Sequence, residues 1–376
     1  MEQEIFTTKI NNGFSSNADI VEALKFPFGS QEQNALFKHA NAIRKKCVGN
    51  NVYLRALIEY SNVCQKDCYY CGIRSSNKEY DRYTLPIEEV LKISQKVLDA
   101  NITSLVIQSG ERSSNEFVKN IEEILITIAK TFNNKFRVTL SCGEQTFEVY
   151  KRWFKAGCQR YLLRFETSNE NLYNKIHPNN NLHSYAHRLK AIKDLRSVGF
   201  QVGSGFMIGL PTQTYSDIAD DLLFLKKYNI DMVGMGPYIE HQKTPLYDMY
   251  GGCEMEELAE LAEKFRKKNW SLEKRLNTAI NAIAVLRIIM KDINIASTTA
   301  LSAINSEGRR LGLLAGANVV MPNFTSEQYR ENYFLYQNKP KIYTEDALTR
   351  INSECKQNNL NIKYNTWGDS NHFLNR

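Results

Sequence analysis

Residues 60–72 read Tyr-Ser-Asn-Val-Cys-Gln-Lys-Asp-Cys-Tyr-Tyr-Cys-Gly, and they directly follow a β-forming run over residues 52–60. Three of these residues, Cys64, Cys68 and Cys71, have the spacing C-x3-C-x2-C. Thiolates at this spacing can bind three corners of a cubic 4Fe-4S cluster and leave the fourth iron without a protein ligand. Because an open iron position is where chemistry takes place, the stretch predicts a reactive iron–sulfur site at the end of the first strand.

Two simpler explanations of the cysteines were weighed against the cluster. A structural zinc ion takes four ligands, usually in two pairs, and neither His39 nor Cys47 upstream has a ligand spacing to the motif. Disulfides form in oxidising compartments, whereas the eight cysteines of this chain show no pairing pattern. We therefore expect reduced thiols and a cytoplasmic protein.

The charge and the apolar content of the chain indicate which classes of partner it can bind. The 376 residues carry a formal charge of +7, from 48 basic and 41 acidic residues that are dispersed along the chain. A modest, dispersed charge does not favour nucleic-acid binding. Met1 to Ile5 lack the basic and apolar regions of a secretory signal, and no apolar run approaches the roughly 18 residues of a membrane span. We expect neither a nucleic-acid partner nor a membrane.

Short apolar runs alternate with amphipathic helical patterns from residue 52 onward. Such alternation is typical of a parallel sheet that is buried on both faces. Eight units predict an α/β fold with a complete (β/α)8 TIM-type barrel. An open, doubly wound sheet is the alternative, which the lack of a GxGxxG fingerprint in the first βα turn weakens. The predicted strands are residues 52–60, 104–111, 137–144, 160–167, 200–211, 231–239, 295–301 and 317–323.

Three regions are expected along the chain. A helical N-terminal extension covers residues 1–50, the barrel covers 51–325, and a C-terminal extension with a helical tail covers 326–376 and packs on the barrel. Residues 251–268 are charged and predict a surface helix inserted between the sixth and seventh units.

Polar side chains collect at the predicted carboxyl ends of the strands, where the reactive groups of such barrels lie. Arg164 and Glu166 would share one face of a strand, so they can each bind a ligand or pair with one another. Cys142 has no partner cysteine at another strand end, which favours a buried free thiol. Besides the three cysteines, the strand ends carry Gln108, Glu111, Ser141, Glu144, Arg164, Glu166, Met207, Pro237, Thr298, Thr299 and Asn323.

Several segments together resemble the HydE family of radical S-adenosylmethionine (SAM) enzymes, which mature the active-site cluster of iron-iron hydrogenase. The resemblance extends over roughly residues 30–340 and is more specific than the cysteine motif, which the whole radical-SAM superfamily shares. The matching segments are residues 53–55, the cysteine stretch, and residues 108–111, 161–167, 207–211, 231–237, 298–299 and 316–323.

The resemblance implies a cofactor pair and a substrate. In that family the free iron binds the amino and carboxylate groups of SAM, and one electron cleaves SAM to methionine and a 5′-deoxyadenosyl radical. The implied substrate is an iron complex of carbonyl, cyanide and cysteine, and the implied partners are other maturation proteins and an electron donor. The implied ligands of the single 4Fe-4S cluster are Cys64, Cys68 and Cys71; those of SAM are Tyr70, Ser141, Glu166, Arg188, Met207 and Met232; and those of the substrate are Gln108, Arg164, Thr298, Thr299 and Tyr336.

The sequence departs from the family pattern in two places, and other functions stay open. Only Cys355 lies in the tail, where some relatives hold a second cluster, and the 251–268 insertion is longer than expected. Methylornithine synthase differs from this pattern only in pocket residues. Biotin synthase needs a second cluster that Cys142 alone cannot bind. A non-catalytic iron–sulfur carrier, the third alternative, has little use for Glu166, Arg188 and Met207.

Overall fold

The computed structural model describes residue 14 and residues 16–250, 269–337 and 344–376. The predicted surface helix over residues 251–268 therefore lies outside the described residues. No described helix has both the length and the apolar character that crossing a membrane requires.

The predicted alternation of strands and helices is confirmed. Seven strands form one parallel sheet in the order β10-β8-β6-β5-β4-β3-β2, and a second parallel sheet has the order β11-β1-β12. The strands are β1 (Asn51–Leu54), β2 (Ala56–Ser61), β3 (Ser104–Ser109), β4 (Arg137–Ser141), β5 (Cys158–Leu162), β6 (Gln201–Ser204), β7 (Met207–Ile208), β8 (Met232–Val233), β9 (Gly236–Pro237), β10 (Asn294–Ile295), β11 (Val319–Val320) and β12 (Asn361–Lys363).

Helices connect and cover these strands. Helix α3 begins directly after Pro86, because proline is tolerated where the helix has no partner for an N–H. The helices are α1 (Asn17–Leu24), α2 (Gln31–Cys47), α3 (Ile87–Asp99), α4 (Asn115–Thr131), α5 (Phe147–Lys155), α6 (Glu170–Lys175), α7 (Tyr185–Val198), α8 (Tyr215–Lys227), α9 (Pro245–Tyr250), α10 (Leu272–Ile289), α11 (Thr299–Ile304), α12 (Gly308–Leu314), α13 (Glu327–Arg330), α14 (Thr344–Gln357) and α15 (Asn371–Leu374), with a 3-10 turn at Asn181–His183.

The strand order follows the chain, and this argues against the doubly wound alternative. A doubly wound sheet reverses its strand order at a switch point, whereas the seven-stranded sheet here curves into a half-barrel without a reversal. Backbone hydrogen bonds also join its two edges to the second sheet. Ser297 N–H donates to Val319 O at 2.9 Å, and Leu57 N–H donates to Pro322 O at 2.8 Å. Strand β1 continues through Arg55 into β2, which is one edge strand of the seven-stranded sheet. Together with the hydrogen bonds above, this connection means that the second sheet contacts both edges of the first.

Helix α10 is buried along nearly its whole length, which explains why its sequence is apolar on all sides. Helices α1 and α2 pack on the face of α10 that the sheet leaves uncovered. Amide side chains align the two layers: Gln33 Nε2 donates to Oδ1 of both Asn277 and Asn281 at 2.7 Å. The N-terminal helices therefore complete the core around α10.

Two local predictions differ from the structure. The strand expected over residues 295–301 ends at Ile295, and Thr299 begins helix α11 instead. Threonine favours strands but also precedes helices, and Thr298 takes the extended conformation of the residue before a helix. The C-terminal extension also contains a strand besides its helices, since β12 pairs with β1 in parallel.

The end of the C-terminal extension covers the amino ends of the strands. The carboxylate of Asp369 lies 3.1 Å from Arg137 and 3.8 Å from the buried Arg160. Burial, together with the neighbouring Arg55, lowers the pKa of Arg160 well below its ordinary value. The carbonyl of Gly368 accepts hydrogen bonds from Arg55 at 3.2 Å and from Asn294 at 2.9 Å. The extension thus supplies the negative charge and the acceptor that these buried groups need.

We predict that Asp369→Asn lowers the free energy of unfolding by about 3 kcal/mol, because it leaves a buried arginine without its counter-charge. Urea denaturation followed by circular dichroism measures the loss. Glu148→Gln is the control, since the exposed pair of Glu148 and Lys151 contributes less than about 1 kcal/mol. Equal losses in the two variants would contradict this role for Asp369.

Candidate active site

The loop that carries the three cysteines follows β2 and is held by backbone hydrogen bonds to three separate segments. Gln65 N–H donates to Glu111 O at 2.9 Å, Tyr69 N–H to Ile176 O at 3.0 Å, and Gly72 N–H to Leu335 O at 3.0 Å. The loop has no regular secondary structure, so these neighbours determine its path. It lies at the carboxyl ends of the strands, where the sequence predicts the chemistry.

Two glycines allow the loop to approach its neighbours closely. A Cβ atom at Gly72 would lie 2.0 Å from Phe334 O, and one at Gly110 would lie 2.4 Å from Val63 O and 2.8 Å from Cys64 Cβ. Backbone atoms cannot move aside as a flexible side chain can. Both positions therefore require glycine for the loop to keep this path.

The thiols of Cys64, Cys68 and Cys71 lie near one another. Burial raises the pKa of all three, that of Cys71 to about 12, and Cys71 and Cys64 raise the pKa of Cys68 further. Mutual effects of this kind require the sulfurs to be near one another. Among the described residues no group of three or more candidate ligands fits a single metal ion. In a 4Fe-4S cluster each thiolate binds a different iron, so the three sulfurs need not converge on one ion. The donor set fits a 4Fe-4S cluster, whose iron would replace the protons.

Lys66, in the middle of the loop, belongs to a buried charge network behind the cysteines. Its Nζ lies 3.1 Å from Glu111 and 3.0 Å from Glu144. Arg188 contacts the same two carboxylates, with its Nε 2.5 Å from Glu144 and an Nη atom 3.5 Å from Glu111. Although burial raises the pKa of Glu144, Arg188 and Lys66 hold it below its ordinary value. Two cations and two carboxylates thus neutralise each other in a site that a single charge would destabilise.

Arg164 and Glu166 pair with one another, which is one of the two possibilities that their spacing left open. An Nη atom of Arg164 lies 3.0 Å from Glu166 Oε2, and its Nε donates to both carboxylate oxygens at 3.1 Å. Glu166 has φ +69°, in the left-handed region that non-glycine residues rarely adopt. The Arg164 carbonyl accepts a hydrogen bond from Arg188 at 3.1 Å. The pair therefore adjoins the buried charge network.

Of the five predicted substrate residues, Thr299 and Tyr336 contact each other, Arg164 lies near Tyr336, and Gln108 bonds a neighbouring tyrosine. The hydroxyls of Thr299 and Tyr336 are 3.1 Å apart. Burial raises the pKa of Tyr336 to about 12, and Arg164 and Glu59 are close enough to influence it. Gln108 donates to the hydroxyl of Tyr333 at 3.3 Å, and Tyr333 in turn lies near Glu59 and Cys71.

Thr298 points elsewhere, and two residues were missed. The hydroxyl of Thr298 donates to the carbonyl of Met235 at 3.2 Å. Sequence reasoning did not select Glu59, which is buried in β2, or Tyr333, which lies outside any strand. The register pairs Glu59 with Gln108 and Gln108 with Ser141, so these three side chains point to the same side of the sheet. An acidic residue inside an apolar strand was the available signal.

The residues predicted to bind SAM divide into two groups. Met207 and Tyr70 pack against the same small apolar cluster, and the Tyr70 hydroxyl lies 3.2 Å from His177 Nε2. Ser141 ends β4 beside Gln108. Met232 differs, because its sulfur accepts a hydrogen bond from Arg55 at 2.8 Å, on the side that the C-terminal extension covers. Met232 also lines an interior cavity of about 30 Å³ with Arg55.

Comparison with known proteins agrees with this arrangement. The model of the Radical SAM superfamily matches residues 58–225. The FeFe hydrogenase maturase subunit HydE of Thermotoga maritima is 39% identical over 319 residues, which make up 83% of this chain and 82% of that protein. This chain belongs to the HydE family of radical SAM enzymes. Its cofactors are a 4Fe-4S cluster and SAM, as the resemblance in the sequence implies.

Two solved structures of proteins with other names share the fold. The FeFe-hydrogenase maturase HydG from Carboxydothermus hydrogenoformans has a TM-score of 0.78 at 17% identity, covering 99% of this chain and 81% of that chain. Methylornithine synthase (PylB) has a TM-score of 0.75 at 17% identity, covering 96% of this chain and 98% of that chain. At this identity the likeness shows the fold alone, so pocket residues must separate the activities.

We predict that Lys66→Met lowers the free energy of unfolding by about 3–5 kcal/mol and speeds the loss of iron from the reconstituted protein to a chelator. The variant leaves two buried carboxylates with one cation, so the loop loses its anchor. Urea denaturation measures the first effect, and the rate at which iron is transferred to the chelator measures the second.

Lys190→Met is the matched control for that variant. Lys190 lines the same open cavity of about 350 Å³ as Lys66, but its side chain is 68% exposed and pairs only with Asp194 one turn away. Iron release as slow from Lys66→Met as from Lys190→Met would show that the network does not anchor the loop.

Proposed function

We propose that this chain acts in the maturation of iron-iron hydrogenase, cleaving SAM reductively and acting on an iron complex of carbonyl, cyanide and cysteine. The observation that carries the proposal is the loop with Cys64, Cys68 and Cys71 at the carboxyl end of the sheet. In this proposal Gln108, Arg164, Thr299 and Tyr336 line the substrate site beside that loop. The Thermotoga maritima relative, named as a hydrogenase maturase subunit, supports the same assignment.

The proposed cofactor site uses residues on both sides of the cysteine loop. Cys64, Cys68 and Cys71 would hold the cluster, which when bound supplies the electron that cleaves SAM. Glu166 is suited to ribose hydroxyls or an ammonium group, because its carboxylate accepts hydrogen bonds. Met207 and Tyr70 would provide apolar contacts. Of the other expected residues we retain Ser141 and Arg188 and leave out Met232, whose sulfur already accepts a hydrogen bond.

The proposed substrate site opposes the cofactor site. Arg164 can hold a carboxylate with two parallel hydrogen bonds once its pairing with Glu166 opens or is shared. The hydroxyls of Thr299 and Tyr336 are donors for a second anionic or cyanide-like group, and Gln108 offers an amide. Thr298 joins this set if its hydroxyl turns from the Met235 carbonyl. Such donors suit a small, anion-bearing molecule and not a nucleic acid or a protein backbone.

We further propose that the sheet closes into a complete (β/α)8 barrel that encloses these two sites. The hydrogen bonds of β11 with Ser297 on one side and of Pro322 with Leu57 on the other support closure. In this proposal residues 51–325 form the barrel, 1–50 the N-terminal extension and 326–376 the C-terminal extension. Partners would be other maturation proteins and an electron donor.

Activities of related enzymes differ from this proposal in testable ways. A biotin synthase-like reaction needs a second cluster. Cys142 is buried, and among the described residues it belongs to no group of three or more candidate metal ligands. A methylornithine synthase-like reaction needs only an amino-acid substrate in the same space, so substrate assays must separate it. A non-catalytic iron–sulfur carrier would not cleave SAM at all.

We predict that anaerobic reconstitution yields about four irons per chain, because three clustered thiolates hold one cubic cluster. Ala in place of Cys64, Cys68 or Cys71 should abolish SAM cleavage, whereas Cys355→Ala should leave iron content and cleavage unchanged. Iron and sulfide analysis is the measurement. A value near eight irons per chain would reveal a second cluster and contradict the single site.

We predict that the wild-type chain restores hydrogen evolution to a hydrogenase maturation extract that lacks HydE, and that Arg164→Ala reduces this activity at least tenfold. Loss of a charge-assisted contact costs about 1.5–3 kcal/mol, or roughly ten- to a hundredfold in affinity. Thr298→Val tests the remaining residue, whose hydroxyl bonds a carbonyl of the chain itself in the structure, and unchanged activity would exclude it from the substrate site. Full activity of Arg164→Ala, or rearrangement of lysine by an inactive wild type, would refute the proposal.

A further inference from the structure

Helix α8 carries a buried carboxylate, Asp221, that the proposed chemistry does not use. Its Oδ1 accepts hydrogen bonds from the backbone N–H of Ser168, from the Ser168 hydroxyl at 2.6 Å and from the Thr167 hydroxyl at 3.4 Å. These two residues directly follow Glu166 in the chain. Asp221 therefore holds the segment that leaves Glu166.

The second oxygen of Asp221 holds another segment. Asp221 Oδ2 accepts a hydrogen bond from Gln213 Nε2 at 3.3 Å. Gln213 Oε1 accepts from the N–H groups of Gly209 at 2.7 Å and Leu210 at 3.1 Å, and its Nε2 donates to the carbonyl of Met207 at 3.0 Å. Asp221 thus reaches the Met207–Leu210 segment through one intermediate amide.

These two segments also contact each other in front of Asp221. Met207 N–H donates to Glu166 O at 3.1 Å, and Glu166 forms a parallel bridge with Phe206. Glu166 keeps a left-handed backbone, φ +69°, which for a residue with a side chain persists only when the surroundings enforce it. Hydrogen bonds to the two following residues are a direct means of enforcing it.

We infer that Asp221 is a positioning residue for SAM: it fixes the Glu166 backbone and the Met207–Leu210 segment together. This inference rests on the proposed SAM site. Each of the hydrogen bonds described above is accepted by the Asp221 side chain, so the position requires two acceptor oxygens. Asparagine has a similar shape but would turn an amino group toward either Ser168 or Gln213.

The environment of Asp221 shows that the carboxylate is costly to keep there. Burial raises the pKa of Asp221 to about 7, against the hydrogen bonds from Ser168 that lower it. A side chain kept only for stability would more simply be apolar at this depth. The cost is consistent with a role in holding a site.

The test measures SAM affinity separately from stability. Wild type and Asp221→Asn are reconstituted, and SAM is titrated against the EPR spectrum of the reduced cluster. We expect iron content to stay at the wild-type value while SAM binds at least tenfold more weakly. Ser168→Ala, which removes one hydrogen-bond donor and no charge, should weaken SAM binding by a smaller factor. It also keeps the inference testable if Asp221→Asn fails to fold.

Asp231→Asn is the matched control. Asp231 is also fully buried, burial raises its pKa to about 6, and it accepts a backbone hydrogen bond from Val202 at 2.7 Å. It lies before β8, at the end of the sheet away from the cysteine loop, with Arg196 and Arg376 at 3.6 and 3.5 Å. This variant should lose stability and keep wild-type SAM affinity. Equal SAM affinity in both Asp variants would overturn the positioning role.

A double variant separates this inference from the proposed site. If Asp221 acts partly through Glu166, the loss of SAM affinity in the variant with both Glu166→Ala and Asp221→Asn is smaller than the product of the two single losses. Losses that multiply would show an independent, merely structural effect and refute the inference. Wild-type SAM affinity in Glu166→Ala would instead refute the proposed SAM site. Weak binding by Glu166→Ala with unchanged binding by Asp221→Asn would refute only the positioning role.

Discussion

A lysine in the cysteine loop must be neutralised inside the protein, and the site depends on how this is done. Lys66 contacts Glu111 and Glu144, which follow β3 and β4, and Arg188 on α7 completes the balance. Breaking one member of such a set leaves a buried, uncompensated charge, at a cost of about 3–5 kcal/mol. The network therefore ties the loop to two neighbouring strands and one helix, none of which is adjacent to it in sequence.

Polar side chains at this end of the sheet have two different roles: some are proposed to bind ligands, and others bind the chain itself. In the proposed site Gln108 and Tyr336 bind the substrate. Glu144 and Asp221, by contrast, bind parts of the chain itself. The proposed site is consequently shaped in part by hydrogen bonds and ion pairs that the chain makes with itself. A small shift of these supporting side chains would change the position of the reacting groups, and reaction geometry tolerates little displacement.

Much of this architecture can be predicted from the sequence, but the long-range contacts that stabilise it cannot. Cysteine spacing and apolar periodicity are local signals, so the loop, the eight strands and most helices were predictable. The start of α11 at Thr299 was not, since threonine serves strands and helix starts alike. The contacts of Lys66, Asp221 and Asp369 join residues far apart along the chain, and a single sequence shows no trace of such pairings. Arg188 is an example, because its position in the sequence does not reveal that it contacts the carboxylates of Glu111 and Glu144.

Strand β1 has consequences for how the chain reaches this state. It pairs with β11 on one side and with β12 on the other, so Asn51 meets Asn361. During synthesis the edge of β1 must wait for almost the whole chain to emerge before either partner exists. An unpaired edge is a template for association with other molecules, and pairings this distant form slowly. Newly made chains thus pass through a long interval in which protection by a chaperone, or slow synthesis at low temperature, decides how many reach the folded state.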